Sequence, residues 1–147
     1  MSTWVDRLTG SPTRQALALT AQFAEQRQQV LAENLANVDT PNYHSRRLDP
    51  EPFQASLRTA LDQAQRNNER RLELRGNAQF STGADGQVTV QPATEPAPNV
   101  LFHDGTNARV EQLLADTNQN ALTYDLATSL LRGQFNGLLG AIRGRTT

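Results

Sequence analysis

The stretch Leu31-Ala-Glu-Asn-Leu-Ala-Asn-Val-Asp-Thr-Pro-Asn-Tyr43 ends an amphipathic helix and turns the chain away from it. Upstream, Ser11-Pro12 offers an N-cap followed by proline at the first helical position. Pro41 disfavours helical geometry at the residue before it, and Pro41-Asn42 suits the centre of a tight turn because asparagine tolerates a positive φ. The sequence therefore predicts a long first helix that starts near Pro12 and stops before this turn.

Apolar residues recur along this helix at spacings of four and three, which is typical of a seam that packs on another helix. The seam comprises Leu17, Ala21, Ala24, Gln28, Leu31, Leu35 and Val38, and Phe23 and Val30 widen it. The last forty residues repeat the rhythm at Val110, Leu114, Thr117, Ala121, Tyr124, Thr128, Leu131, Phe135, Leu138 and Ile142. A helix from about residue 107 to 143 would be ~55 Å long and unstable unless its stripe is covered. We expect two long antiparallel helices whose seams cover each other.

The middle of the chain is polar, rich in turns and short of core residues. Phe53, Leu57, Ala60, Leu61 and Ala64 predict a shorter helix, and residues 83–86 form a plausible turn of a β-hairpin. Residues 91–98, which contain three prolines, predict a stiff extended linker. Residues 2–10 can form one short helical turn. The expected fold class is mainly α, with a small irregular or β-hairpin middle.

We divide the chain into three segments on this basis. Residues 1–60 form an N-terminal helical segment with the proline turn, and residues 61–103 form a variable polar middle. Residues 104–147 form the long C-terminal helix, with turn residues 104–107 supplying its N-cap. The first and last segments are expected to pack as one domain.

Composition excludes several classes of partner and site. The chain has 147 residues, a net charge of -1 and no cysteine, so a nucleic-acid backbone is not an obvious partner and disulfides and thiolate metal sites are excluded. No window approaches the roughly 20 apolar residues that span a bilayer, and no cleavable secretory signal opens the chain. We therefore expect no direct membrane insertion and, if the protein leaves the cytoplasm, no conventional signal.

A search for catalytic groups finds nothing that supports an enzyme. His44 and His103 are the only histidines, and neither has a ligand partner at helix spacing. The chain contains no glycine-rich phosphate loop and no nucleophile-elbow motif. We expect no enzymatic activity, no cofactor, no metal and no small-molecule substrate.

Two local features call for structural explanations. Asn34 and Asn37 lie near the proline turn, where their amides can satisfy backbone groups at the helix end. Gly133, Gly137, Gly140 and Gly144 also keep a spacing of four and three, away from the apolar seam. This row is either a groove for a neighbouring subunit's helix or a C-terminus that frays and tolerates glycine.

The first stretch resembles a signature of the flagellar rod, hook and hook-associated family, in which Asn-Ile-Ala-Asn-x-x-Thr-Pro-Gly-Tyr ends the first long helix. The matching positions are Asn34, Ala36, Asn37, Thr40, Pro41 and Tyr43, with Leu35 in place of the isoleucine and Asn42 in place of the glycine. The stretch from Asn107 through Val110, Glu111, Asn120 and Tyr124 to Phe135 and Leu138 looks like the other end of that family. The chain is short and has no large inserted domain, and in this it is similar to the short proximal-rod subunits of the family.

The resemblance implies a structural subunit of the bacterial flagellar basal body, in the proximal part of a tubular drive shaft that crosses the periplasm. It implies type III export without a cleavable signal, followed by folding on assembly. The implied partners are other copies, other rod subunits, and the rod-base adaptor with the export gate or MS ring.

We assign twenty residues to packing or assembly on these grounds. They are Leu17, Phe23, Leu31, Asn34, Leu35, Asn37, Val38, Thr40, Pro41, Tyr43, Val110, Leu114, Tyr124, Leu131, Gly133, Phe135, Gly137, Leu138, Gly140 and Ile142.

The alternative is a soluble helical adaptor or chaperone that acts as a closed oligomer, and a small hydrolase is a weaker third. The rod subunit predicts loosely ordered ends and open-ended contacts. The adaptor predicts ends that are folded in solution and a fixed number of copies.

Overall fold

The computed structural model describes residues 11–95 and 105–144, with side chains described at 11–95 and 109–144. In chain order the elements are α1 (Pro12–Ala36), β1 (Arg46–Arg47), α2 (Pro50–Arg66), β2 (Phe80–Thr82), β3 (Val88–Val90), β4 (Ala93–Thr94) and α3 (Gly105–Arg143). The predicted mainly helical fold is confirmed, with long N- and C-terminal helices packed together around a small middle region that carries short strands. The expectations for residues 2–10 and 96–98 lie outside the described residues. The turn expected at 104–107 is wrong in its described part, because residues 105–107 already belong to α3.

Helix α1 begins and ends as the sequence predicts. Ser11 occupies the N-cap in extended geometry with proline next to it. The helix ends where the backbone N–H of Asn37 donates to the carbonyl of Glu33 and that of Val38 donates to the carbonyl of Leu35. The N–H of Tyr43 then donates to the carbonyl of Thr40 over 3.2 Å. Asn42, at the centre of this turn, has a φ of 60°. Asparagine reaches this left-handed region at lower cost than most residues, so it can stand where glycine is usual.

The middle region forms a helix and two small sheets. The predicted second helix is α2, and the predicted hairpin is β2 and β3, paired antiparallel with Phe80 opposite Val90 and Thr82 opposite Val88. Gly86 closes the hairpin turn with a φ of 79°, a region that L side chains rarely adopt. The proposed stiff linker is wrong in part, because Ala93 and Thr94 form β4 and pair antiparallel with Arg47 and Arg46 of β1.

The core lies between α1 and this middle region. Phe23 of α1 stacks on Phe53 of α2 with ring centroids 4.2 Å apart, and Phe80 of β2 meets Phe53 edge-to-face at 5.4 Å. Leu72, Leu74 and Val88 are also buried in this cluster. The expectation of a middle short of core is therefore wrong. Few apolar residues lie there. However, the middle region supplies two of the three clustered rings, Phe53 and Phe80, and these are the largest fully buried side chains among the described residues.

Helix α3 packs antiparallel on the opposite face of α1. Asn120 of α3 bonds Ala24 near the middle of α1, whereas Arg109 near the start of α3 bonds Ser45 beyond the end of α1. With equal rise along both helices, Pro12 lies level with about residue 132 of α3. The part of α3 after that point extends past the start of α1 by about 16 Å.

Candidate assembly surface

Asn34 fixes the chain that leaves the proline turn. Its Nδ2 donates to the carbonyl of Arg46 over 2.6 Å, and its Oδ1 accepts the backbone N–H of Arg46 over 2.9 Å. The Tyr43 hydroxyl donates to the same Oδ1 over 3.2 Å. Because Asn34 is buried, these bonds satisfy a side chain that would otherwise be costly to bury. The Asn34 amide both donates to and accepts from the backbone of Arg46, as a neighbouring strand would, and so holds β1 against α1.

Asn37 closes the helix end itself. Its Nδ2 donates to the carbonyl of Glu33 over 2.8 Å, and the Thr40 hydroxyl donates to its Oδ1 over 3.2 Å. The predicted roles of both asparagines as partners of backbone groups are confirmed. Thr40 and Pro41 are exposed and Tyr43 is half-buried, so the outer side of the turn is open to contacts with other molecules.

A polar junction joins α1 to α3. Asn120 donates from Nδ2 to the carbonyl of Ala24 and to Oε1 of Gln28, both over 2.8 Å. Arg27 donates from Nε to the carbonyl of Leu48 over 3.0 Å, and its Nη1 lies 3.5 Å from Oδ1 of Asn120. Burial lowers the pKa of Arg27, while the charges of Asp116 and Asp49 partly offset this effect. Arginine remains charged at neutral pH even so.

A cleft of about 470 Å³ opens beside this junction, between α1, the segment around β1 and α3. Arg27, Arg46, Arg47 and Arg109 line it together with Asp49, Glu95 and Asp116. Since four arginines face three carboxylates, the cleft has no strong preference for either sign of ligand. Its lining is that of a solvated polar junction between elements.

Glutamines of α1 bond extended backbone of the middle region, a role that the sequence analysis missed. Gln26 donates to the carbonyl of Val88 over 2.6 Å and accepts the N–H of Val90 over 3.0 Å. Gln15 likewise donates to the carbonyl of Arg70 and accepts the N–H of Leu72. These amides satisfy strand edges that would otherwise be unpaired. Their spacing along the helix is the signal that could have identified them.

The predicted α1 residues lie on two different faces. Phe23 and Asn34 are buried on the middle-region side, and Leu31 is buried beside the polar junction. Leu17, Leu35 and Val38 are only half-buried. The predicted seam does face α3, since Ala24 and Gln28 bond Asn120. Phe23 and Val30, which were expected to widen it, belong instead to the main cluster on the middle-region side.

The predicted α3 seam is rotated relative to the face that contacts α1. The two buried residues of the described part of α3 are Asn120 and Ala127, each one position before a predicted seam residue. Val110, Leu131 and Leu138 are half-buried. Leu114, Tyr124, Phe135 and Ile142 are exposed, although Tyr124 still borders a pocket beside Ala24 and Gln28 of α1. Apolar spacing misled here because a polar residue, Asn120, occupies the contact face, and these four side chains remain exposed among the residues that the structure describes.

The glycines of α3 lie against nothing within the described chain. A Cβ added at Gly133, Gly137 or Gly140 would meet no other atom within 4 Å, and one at Gly144 would come 3.4 Å from the carbonyl oxygen of Gly140. Each interior glycine costs roughly 1 kcal/mol relative to alanine in a helix. Packing among the described residues therefore gives no reason for glycine at the first three positions.

No reactive constellation accompanies these features. His44 is exposed, and His103 lies outside the described residues. Among residues 11–95 and 105–144, no cluster of His, Asp and Glu could hold a metal ion. In the same part of the chain, no helix is both long and apolar enough to cross a membrane.

Comparison with known proteins agrees with the class of subunit that this surface defines, one that acts by helix packing. The family model of the flagella basal body rod protein matches residues 15–44, the segment that contains α1 and the proline turn. The flagellar basal body rod protein FlgB of Borrelia hermsii is 31% identical over 116 residues, covering 76% of this chain and 82% of that protein. FlgB of Salmonella typhimurium is 25% identical over 95% of this chain and 98% of its own length, and FlgB of Bacillus subtilis is 26% identical over 91% and 95%. No solved structure matches the chain.

These matches define the class as flagellar rod subunits. The chain belongs to the FlgB family of flagellar basal body rod proteins. It is a structural component of the rod and not an enzyme.

Proposed function

We propose that the chain forms part of the proximal rod, where it contacts other copies and other rod subunits and transmits torque by packing alone. We further propose that its neighbours at the base are the rod-base adaptor and the export gate or MS ring. The observation that carries this proposal is the outer surface of α3. Eight large apolar side chains are exposed on that helix: Leu114, Leu122, Tyr124, Leu126, Leu130, Phe135, Leu139 and Ile142.

Such a surface is unusual for a chain that works alone. Single exposed apolar residues are common, but a helix that exposes them along most of its length marks a surface for another protein. The proline turn supplies a second contact, because Thr40 and Pro41 are exposed while Asn34 and Asn37 hold their backbone in place. A shaft that carries load benefits from contacts held by rigid elements.

We also propose that the subunit is exported through the flagellar type III apparatus and completes its folding on assembly. The contacts of α3 favour this, because only Asn120 and Ala127 of its described side chains are buried. The sequence alone suggested loosely ordered helices at both ends. The aromatic cluster now ties α1 to the middle region, so we expect late ordering of α3 only. The division into segments 1–60, 61–103 and 104–147 remains a proposal, with α1 linked to the middle as well as to α3.

Complementation tests the function. A strain of the source bacterium that lacks this chain should have no rods and no motility, and expression of the chain should restore both. Basal bodies viewed by electron microscopy give the readout, and a chain lacking residues 105–147 is the control. Rods of normal number in the deletion strain would contradict the proposal.

Hydrogen exchange on the purified chain tests the order of folding. Amides of α1 should be protected, whereas those of α3 should exchange nearly as fast as an unstructured chain. Strong protection of both helices, together with a fixed oligomer in sedimentation, would favour the closed adaptor instead.

A further inference from the structure

The contact between α1 and α3 has a polar side chain at its centre. Asn120 is 4% exposed and lies opposite Ala24, the middle residue of α1. Its Nδ2 donates to the carbonyl of Ala24 and to Oε1 of Gln28, and its Oδ1 lies 3.5 Å from Nη1 of Arg27. Because a buried amide is costly wherever such partners are missing, Asn120 favours one alignment of the two helices over others.

Apolar packing alone leaves this alignment open. Leu113 and Ala127 lie seven residues before and after Asn120, so the helix brings them back to the same face. Ala127 is buried and Leu113 is half-buried. If α3 slid along α1 by seven residues, or ~10 Å, one of these apolar side chains would lie opposite Ala24 instead. Burial of apolar surface therefore separates the three alignments poorly.

The connection that leads into α3 leaves the alignment open as well. The N–H of Glu95 donates to the carbonyl of Ser45 over 2.7 Å, and the guanidinium of Arg109 donates to Oγ of the same serine. Both ends of the intervening stretch therefore begin near one residue. From Glu95 to Gly105 a chain can reach roughly 33 Å, which exceeds a slide of ~10 Å. The Arg109 bond opposes such a slide, but it is made by a single flexible side chain near the start of α3.

Charge opposes one of the two slides. Asp116 stabilises the charge of Arg27 across the contact between the helices. A slide in one direction puts Arg109 in the place of Asp116, so two arginines would face each other. The slide in the other direction puts the neutral Thr123 there. This second alignment, with Ala127 opposite the middle of α1, is the stronger competitor, and we call it the slid register.

Asn120 opposes the slid register. A slide of seven residues moves it from the level of Ala24 to that of Leu31, a buried apolar residue. Helical side chains lean towards the helix N-terminus, so Gln28 leans towards Ala24 and away from Leu31. The residue that would take the place of Gln28 is Leu35, which has no hydrogen-bonding side chain. Loss of the side-chain partner of a buried amide disfavours the slid register by roughly tenfold or more.

We propose that Asn120 is the positioning residue that sets the register of α3 on α1. Through this register it places the exposed apolar residues of α3 at a fixed distance from the proline turn that follows α1. A slide of seven residues would move one surface ~10 Å along the other. Subunits that repeat the same contacts need the same spacing in every copy. The effect on assembly rests on the proposed function, whereas the register is a property of the chain itself.

Disulfide trapping measures the register, since the chain has no native cysteine. Ala21→Cys with Tyr124→Cys reports the native register, because Tyr124 borders the groove beside Ala24 and lies level with Ala21. Ala21→Cys with Leu131→Cys, seven residues further along α3, reports the slid register. The purified full chain is oxidised at low concentration, and each intramolecular disulfide is measured by mass spectrometry relative to the same pair in urea. Even brief docking of α3 is recorded, because the disulfide traps it.

The ratio of the two disulfides should follow the asparagine. In the parent chain the native pair should exceed the slid pair by roughly tenfold or more. Asn120→Leu keeps a similar volume without the amide, so this ratio should fall to about threefold or less. Adding Ala127→Asn to that variant should invert the ratio, because the amide then lies opposite Ala24 only in the slid register. Ser45→Ala, which removes the Arg109 bond, is the matched control and should leave the ratio unchanged.

Two results of this trapping would overturn the inference. They are equal yields of the two pairs in the parent chain and an unchanged ratio in Asn120→Leu. A structural role alone would lower both yields together, and a moved asparagine would then not change the ratio. Should Asn120→Leu fail to fold, Asn120→Ala takes its place under the same criteria.

Assembly in cells gives a second readout. In the deletion strain, Asn120→Leu should give roughly tenfold fewer rods than the parent chain at equal expression, because copies in mixed registers cannot repeat the same contacts. A normal number of rods, with mixed registers in the trapped chain, would overturn the positioning role in assembly. Absence of the parent chain from basal bodies would instead contradict the proposed function and leave the measured register as it stands.

Discussion

The two long helices are ordered by different means. Helix α1 is covered on two sides, by the aromatic cluster of the middle region and by α3, and eight of its residues are buried. Among the described residues, helix α3 is longer but packs mainly on α1, with a further bond to Ser45 before β1, and two of its side chains are buried. Length is thus a poor guide to order in this chain. The shorter helix organises the fold, and the longer one supplies most of the exposed apolar surface.

Removing an aromatic ring from the core should cause the largest loss of stability, and it tests the contrast between the two helices. Phe53 is 2% exposed and stacks on Phe23, so Phe53→Ala should lower the free energy of unfolding by about 3–5 kcal/mol. The matched control is Phe135→Ala on α3, where a 42% exposed ring should cost about 1 kcal/mol or less. Urea unfolding of both variants gives the values. Equal losses would mean that α3 is packed as tightly as α1.

The next largest effect should follow loss of the amide behind the proline turn. Asn34→Ala removes three hydrogen bonds and leaves the backbone N–H of Arg46 without its partner, which should cost about 2–3 kcal/mol. Asn37→Ala, which removes an exposed bond at the helix end, should cost about 0.5–1 kcal/mol. Thermal unfolding of the two variants, with proteolysis at the turn, gives the comparison. A mild effect at Asn34 would show that β1 is held mainly by its pairing with β4.

The helices and the hairpin could be predicted from sequence because local signals define them. Pro12, Pro41-Asn42 and the glycine-rich turn at 83–86 restrict backbone geometry wherever they occur. The faces of the helices could not be predicted in the same way. Spacing identifies an apolar stripe, but it does not tell whether the stripe meets the same chain or another one, and α1 carries two contact faces at once.

The polar contacts escaped prediction for a related reason. Gln15, Gln26 and Arg27 look like the solvent side of an amphipathic helix, and only the fold brings strand edges and a carbonyl within their reach. Asn34 and Asn37 were accessible to sequence analysis since their partners lie close along the chain. Partners distant in sequence, such as Ala24 and Asn120, require tertiary structure.

Replacing the buried arginine should change stability less than its burial suggests. Burial lowers the pKa of Arg27 because the charged form loses hydration, and the charges of Asp116 and Asp49 offset part of that effect. Arg27→Met keeps most of the packing volume and removes the charge, so the free energy of unfolding should change by less than about 1 kcal/mol. Arg27→Ala, the control that leaves a void, should cost about 2–3 kcal/mol. A loss above 3 kcal/mol for methionine in urea unfolding would show that the charge itself holds α3 on α1.

The smallest predicted change in the free energy of unfolding is a gain in stability. Gly137→Ala adds a methyl group that meets no atom within 4 Å and removes the conformational cost of glycine, so it should stabilise the isolated chain by about 0.5–1 kcal/mol. The same substitution should lower the number of rods and reduce motility, because the methyl group would obstruct a neighbouring subunit that packs on this exposed backbone. Ala121→Ser, an exposed position about 160° around the same helix from Gly137, is the control and should leave rods unchanged. A chain that is more stable yet assembles less well would show that the bare face of α3 is kept for a neighbour, since fraying alone would leave assembly unaffected.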